Sequence, residues 1–250
     1  CPWAKYRKNK GGIKMHTLVD LRGNLPVSVY LTSASVNDVK ALDDLYIEPS
    51  AIYLMDRGYV DFNRLFKLIT KKNAFFVTRA KDNMLFEVVS EAEVDKSTGI
   101  ISDERIKLTG LHTAKWYPEE LRMVTYEDYA TSKVYRFLTN NMEYEALTIS
   151  ELYRERWNVE LYFKWIKQHL HIKSFYGTSE NAIYLQIWIA ICTYLLLAYA
   201  KKVMHIDQSL HTISKNVGLF LTDKTPLNEL FNKAVPTEET EDWLYPSLFR

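Results

Sequence analysis

Ala51-Ile-Tyr-Leu-Met-Asp56-Arg-Gly-Tyr59 leads through the helically spaced stretch Asp61 to Lys72 into Ala74-Phe-Phe-Val-Thr-Arg79. The first piece is a short apolar run that ends on a carboxylate. In the second, Phe62, Leu65, Leu68 and Ile69 share one side of a 3.6-residue helix. The third is again a short apolar run, of strand length. Strand, helix and strand at this spacing predict parallel crossover units and therefore an α/β core. Functional groups on such sheets gather at the carboxyl ends of strands, where Asp56 stands.

Working outward, Ile13 to Asp20 and Val27 to Thr32 alternate in the manner of strands around the turn residues Leu21-Arg-Gly-Asn-Leu-Pro26. They predict an antiparallel hairpin. Val39 to Tyr46 reads as a short helix with Asp38 as its N-cap. Downstream, Leu85 to Val89, Ile106 to Leu108 and Arg122 to Tyr126 are short alternating pieces without helical period, which predicts a β-rich insertion over 83–132. The strand Val134 to Leu138 returns to the core. Two long helices follow, Glu145 to His169 and Ser179 to Met204, and a helical piece around Leu227 to Ala234 precedes an acidic tail. The expected organisation is a first core part at 1–82, the insertion, a second core part at 133–205 and a mixed segment at 206–250.

With 47% hydrophobic and 25% charged residues the chain is an ordinary globular protein, which excludes disorder over most of its length. Two cysteines, Cys1 and Cys192, exclude a disulfide framework, so a reducing cytoplasm is the expected setting. The net charge of +1 hides local basic patches, at Lys5 to Lys14 and at Arg64 to Lys81, that suit a polyanion. Ala182 to Ala200 is apolar enough to span a bilayer. Its tyrosines, Gln186 and the lack of a second such run favour a helix buried in protein, with no membrane.

On the helix expected over Glu145 to His169, Tyr153, Arg156, Glu160 and Lys167 fall within one stripe roughly 60° wide. Leu152, Val159, Phe163, Ile166 and Leu170 form the adjacent core-facing arc. An exposed helix with an Arg156–Glu160 pair is one reading. The other is phosphodiester chemistry, with Glu160 as a hard-oxygen metal ligand, Arg156 and Lys167 on phosphates, and Tyr153 on a phosphate or base.

The spacing Tyr-x2-Arg-x3-Glu-x6-Lys resembles the motif of bacterial insertion-sequence transposases that carry a DDE active site on a ribonuclease H-like fold. Phe137-Leu-Thr-Asn-Asn141, Phe175-Tyr-Gly-Thr-Ser-Glu-Asn181, Asp56-Arg-Gly-Tyr59, Lys14-Met-His-Thr-Leu-Val-Asp20 and Val36-Asn-Asp-Val39 resemble the family's neighbouring segments. The resemblance implies a mixed sheet with flanking helices, and a two-metal site holding Mg2+ or Mn2+. By motif Asp56 is the second catalytic Asp and Glu160 the catalytic Glu. Tyr153, Arg156, Lys167, Arg79, Lys81 and Arg57 correspond to DNA-contacting positions. The implied partners are double-stranded DNA and a second copy of the protein, in the bacterial cytoplasm and at the nucleoid.

No position matches the family's first Asp, and two strands precede the first helix where the family has three. The expectation is a fragment that starts just after that Asp and its strand. Asp20 ends a strand, but it aligns with the family's second strand and leads into the hairpin turn. A hydrolysing nuclease without strand transfer, and a truncated remnant that only binds DNA, are the alternatives. His169 and His171 point apart on a helix and form no metal pair. His16 suits strand-face packing as well as it suits DNA, and Trp116 suits packing better than base stacking.

Overall fold

The computed structural model describes residues 5–7, 10–170, 172, 174–220, 222, 224, 226, 229 and 231. In chain order the strands are β1 (Lys5–Arg7), β2 (Lys10–Gly11), β3 (Ile13–Asp20), β4 (Leu25–Ser33), β5 (Ile52–Leu54), β6 (Phe75–Arg79), β7 (Phe86–Glu91), β8 (Ile100–Leu108), β9 (Leu121–Asp128) and β10 (Lys133–Thr139). The α-helices are α1 (Phe62–Arg64), α2 (Thr113–Trp116), α3 (Ala146–Glu155), α4 (Trp157–His169), α5 (Glu180–Val203) and α6 (Leu210–Leu219). The described residues divide into two compact units, one formed by residues 34–158 and the other by those up to 33 and from 159 to 231.

The 34–158 unit is built on a mixed six-stranded sheet in the order β5-β6-β10-β9-β8-β7. β5 and β6 are parallel, as the crossover pattern requires, and the other neighbours are antiparallel. The strands of the 83–132 segment therefore extend the same sheet. Period-two alternation divides the buried side chains between its faces. Phe76, Leu121, Met123 and Leu138 pack with Leu65, Ile69 and Tyr117 on one side. Val77, Val124, Tyr135 and Phe137 pack with Ile149 and Tyr153 of α3 on the other. Leu65, Phe76, Leu138 and Ile149 are fully buried, each contributing about 1.5–3 kcal/mol of transfer free energy. On β8, Ile100 joins the α3 side and Ile106 the opposite side, although an even separation should keep them together. The register shift between Ile100 and Ser102 inserts one residue and flips the phase.

Side chains finish what the ladder leaves open. The Asn140 amide donates to Ala74 O at 3.0 Å and its oxygen accepts from Phe76 N–H at 2.9 Å, which carries the β10–β6 pairing past its end. Gly99 closes a 3-10 turn at φ +88°, and a Cβ there would stand 2.7 Å from Glu127 O. Gly99→Ala is accordingly expected to lower stability by about 2 kcal/mol, read as a fall in the chemical-denaturation midpoint. An unchanged midpoint would show that the turn relaxes freely.

In the other unit β3 and β4 form the expected hairpin, which pairs as its own two-stranded sheet. Ile183, Ile187 and Ile191 of α5 pack on Ile13, Met15, Val29 and Leu31 of that hairpin. Ala190, Tyr194 and Leu197 pack against Tyr162, Trp165 and Ile166 of α4 and Ile213 of α6. Ser179 caps α5 by accepting from Ala182 N–H, and the Tyr194 hydroxyl donates to Asn24 O at 2.9 Å. α5 is long and apolar enough to cross a bilayer. The expectation that it is buried in protein holds for one stripe, whereas Leu185, Ile189, Leu196 and Tyr199 on its other side are exposed.

Several local expectations are corrected. The helix expected over Glu145 to His169 is two, interrupted at Arg156, whose N–H bonds back three residues to Tyr153 O at 3.2 Å. α3 buries Ile149, Ser150 and Tyr153, whereas α4 buries Tyr162, Trp165 and Ile166. On one uninterrupted helix these two sets would lie about 170° apart at 100° per residue. Each arc meets a core of its own, that of α3 on β6, β9 and β10 and that of α4 on α5 and α6, and the pattern changes face at the break. Asn37, not Asp38, caps the turn at Asp38–Asp44, which is 3-10 and not α. Asp61 to Lys72 is helical but irregular, passing from α1 through a π turn at Leu65–Ile69 to a 3-10 turn at Thr70–Lys72. β10 runs antiparallel to β6, so β5–β6 is the only parallel pair among the described strands. The helical piece near Leu227 and the acidic tail fall almost wholly outside the described residues.

Candidate active site

Met55 is buried and donates its N–H to Val77 O at 3.1 Å, which holds the chain against β6 up to the last residue before Asp56. There the backbone leaves the sheet and Asp56 is exposed. Its Oδ1 accepts from Arg57 N–H at 2.8 Å and so caps the 3-10 turn Arg57–Tyr59. A carboxylate at the carboxyl end of a half-buried strand is thus fixed by its own backbone while facing solvent. The following loop is tied down twice. The Lys81 ammonium donates to Val60 O at 2.9 Å, and Arg64 forms two 2.9 Å hydrogen bonds to Asp43 and one of 3.0 Å to Asp61. The Arg64 hydrogen bonds hold the Asp43 carboxyl below its ordinary range.

Tyr59 lies in this loop. Burial, then the carboxylates of Asp38 and Asp56, push its phenol up to about 12. Asp38 is close by, since its Oδ2 would stand 3.8 Å from a Cβ on Gly58. A residue that reads as a cap therefore faces the Asp56 turn instead.

At the equivalent end of β6, the Arg79 guanidinium lies 5.0 Å from the Tyr135 ring. Tyr153 is 6% exposed, with its ring 4.9 Å from Phe137 and the Arg156 guanidinium 5.5 Å from its own centroid. Burial raises the Tyr153 phenol, Arg156 pulls it down, Asp56 pushes it up and Arg79 pulls it down. One buried phenol thus feels the Asp56 carboxylate and both guanidinium groups. Asp56, Arg79, Tyr153 and Arg156, distant in sequence, are gathered at one end of the sheet. Tyr153 is more deeply packed than a border position on a helical stripe suggested.

Glu160 and Lys167 belong to α4, in the unit that begins again at Val159. Glu160 is in the first helical turn, where a carboxylate suits the helix dipole. Lys167 is exposed, its ammonium 5.8 Å from the Phe163 ring. Both lie opposite the buried arc of Tyr162, Trp165 and Ile166.

The remaining candidates take structural places. His16 Nε2 and Thr32 Oγ1 are 3.0 Å apart inside the hairpin face. Asp20 Oδ1 accepts from Arg22 N–H at 3.1 Å, a turn contact. Trp116 is half exposed and stacks on His112 at 5.6 Å. His169 packs between Trp165 and His211, and His171 lies outside the described residues. Sequence reasoning passed over Arg136, Asp82 and Arg122. Arg136 and Arg122 carried a signal, since each is a cation inside an apolar strand.

Hard carboxylate oxygens suit a divalent cation, and the exposed Asp56 fits as one such ligand. Among the described residues no three of His, Cys, Asp or Glu stand together as a metal group.

Residues 2–196 match the family described as Transposase DDE domain. The chain is 36% identical over 210 residues to a Sinorhizobium fredii protein named transposase y4zB, covering 82% of this chain and 58% of that protein. It is 29% identical over 231 residues to a Geobacillus stearothermophilus protein named as transposase for insertion sequence element IS5377, covering 91% of this chain and 60% of that protein. A protein of Synechocystis, named as transposase for insertion sequence element IS4SA, is 26% identical over 217 residues, which is 85% of this chain and 57% of that protein. The chain therefore spans less than two thirds of the length of these relatives. No solved structure matches it. By the family match over most of its length and by its relatives, this chain belongs to the DDE transposases of bacterial insertion sequences.

Proposed function

We propose that the protein cuts DNA at the ends of its insertion element and joins the freed 3′-ends to target DNA, with Asp56 and Glu160 as catalytic carboxylates. The observation that carries this reading is the exposed Asp56 carboxylate at the carboxyl end of β5, with Arg79 at the matching end of parallel β6 and Tyr153, the Arg156 guanidinium over its ring, packed against both strands. The family works with divalent metal ions, and here Asp56 and Glu160 would hold Mg2+ or Mn2+. Bound there, such ions would activate the attacking oxygen and stabilise the leaving one. The chain's own groups do the rest. Arg79, Arg156 and Lys167 take backbone phosphates. Tyr153, packed on Phe137, holds the Arg156 guanidinium against its ring. Arg57 contacts phosphate beside the reacting strand, and Lys81 holds the loop from which it projects. Residues 83–132 act as an insertion in a core made of 1–82 and 133–205, with 206–250 beyond it. Pairing two element ends calls for a homodimer on double-stranded DNA, in the bacterial cytoplasm.

The test uses the purified full-length protein, because a chain without the family's first Asp is expected to be inactive by itself, with 3′-labelled DNA from its own element boundary, a target plasmid, and Mg2+ or Mn2+. Label is expected in the plasmid and is expected to vanish with a chelator. Cleavage without plasmid labelling would reduce the function to hydrolysis. Absence of both reactions would sink the reading.

A further inference from the structure

Arg57 and Arg136 reach the same carboxylate from different parts of the 34–158 unit. Arg57 lies directly after Asp56, on the turn beyond β5, and its guanidinium is 3.4 Å from Asp82 Oδ2. Arg136 projects from β10, and its guanidinium is 3.7 Å from Asp82 Oδ1. The sheet sets this convergence, because Ala80 N–H donates to Arg136 O at 2.9 Å and the chain then leaves β6 beside that residue. Asp82 itself is 86% exposed, and the arginine side chains are 53% and 37% exposed. An exposed pair of this kind is held weakly. Both separations exceed the 2.7–2.9 Å usual for a tight charged hydrogen bond. An anion that meets both guanidinium groups at full hydrogen-bond distance therefore competes well for them.

We propose that Arg57 and Arg136 form a seat for a backbone phosphate of DNA, which the Asp82 carboxylate fills until DNA displaces it. A phosphodiester offers guanidinium forks the bidentate geometry that a loosely held carboxylate does not use here. Because the seat begins one residue after Asp56, the phosphate it takes lies close along the strand to the one that reacts. Asp82 offsets one of the two positive charges and so weakens the hold of DNA that does not fill the seat well. The proposal rests on DNA as the partner, and it assigns Arg136 and Asp82, which no motif marks.

The test is fluorescence anisotropy of a labelled random-sequence duplex with the 250-residue chain over a salt series. Asp82→Asn is expected to tighten binding about three- to tenfold at low salt. Arg136→Gln is expected to weaken it by a similar factor and to reduce the slope of log K against log salt by about 0.9. Arg136→Lys, which keeps the charge and most of the packing, is expected to preserve that slope while losing affinity. In an Arg57→Gln/Arg136→Gln background, Asp82→Asn is expected to change affinity less than twofold. An equal effect of Asp82→Asn in both backgrounds, or an unchanged slope in Arg136→Gln, would overturn the seat while leaving the DNA reading intact. Failure of the unaltered chain to bind duplex would overturn both.

Discussion

Asp56→Asn is expected to abolish strand cleavage and transfer, by at least about a thousandfold, or some 4 kcal/mol in the barrier. The expectation comes from the site and not from the fold. Asp56 is exposed, and its one observed side-chain contact is accepted by Oδ1 from Arg57 N–H. The Asn carboxamide oxygen can accept the same bond, so the Arg57–Tyr59 turn keeps its cap. What is lost is the negative charge that makes the group a ligand for a hard cation. Glu160→Gln should behave alike, since a partly exposed carboxylate in the first turn of α4 is exchanged there for a near-isostere. Both variants should melt within a few degrees of the parent and bind DNA at least as well, because a negative charge has been removed near phosphate. The measurement is the labelled 3′-end assay run beside thermal melting and anisotropy. Normal strand transfer by either variant would refute the assignment, whereas loss of activity with loss of folding would place the residue in the scaffold.

Arg122→Met is expected to have the largest effect on stability. Arg122 lies on β9, is 8% exposed, and pairs with Asp103 of β8 through two 2.7 Å hydrogen bonds. Its remaining nitrogen donates to the Asn141 and Tyr144 carbonyls, in the loop that Asn141 organises by accepting from Glu143 and Tyr144 N–H. That loop leads into α3. Removing the guanidinium leaves a carboxylate only 12% exposed without its cation and two carbonyls without their donor. Breaking a buried pair from one side costs about 3–5 kcal/mol. For a chain of this size that is a fall in melting temperature on the order of 10 °C. Arg122→Met/Asp103→Leu should recover much of the loss, because an apolar pair replaces the orphaned charge. A loss below about 1 kcal/mol in the single variant would show that water reaches Asp103 and that the pair matters little.

What could be read in advance followed local chemistry. Apolar runs of strand length, a turn rich in Gly, Asn and Pro, and the helical spacing of Phe62, Leu65 and Ile69 each depend on neighbours in the chain, and those elements stand where they were expected. The motif around Asp56 and Arg156 was legible for the same reason, as a spacing of residue types. The break at Arg156 was not. It follows from α3 and α4 burying opposite arcs, and a periodicity count over one segment does not reveal which core each arc will meet. The role of Asp38 was misread on similar grounds. A cap is a local property, but Asp38 faces the turn at Gly58, some twenty residues on, and Asn37 does the capping.

The Asp56-Arg-Gly-Tyr59 stretch shows where the division lies. Its sequence alone determined that a short apolar strand ends on an acid, because hydrophobic run length and a carboxylate are properties of the residues themselves. Its company was decided only in three dimensions. Parallel pairing with β6, antiparallel pairing of β10 and the packing of α3 bring Arg79, Tyr153 and Arg156 to that carboxylate, and Arg57 and Arg136 to Asp82. Those encounters join residues far apart along the chain. They depend on sheet order and register, which strand sequences restrict but which the packed core selects.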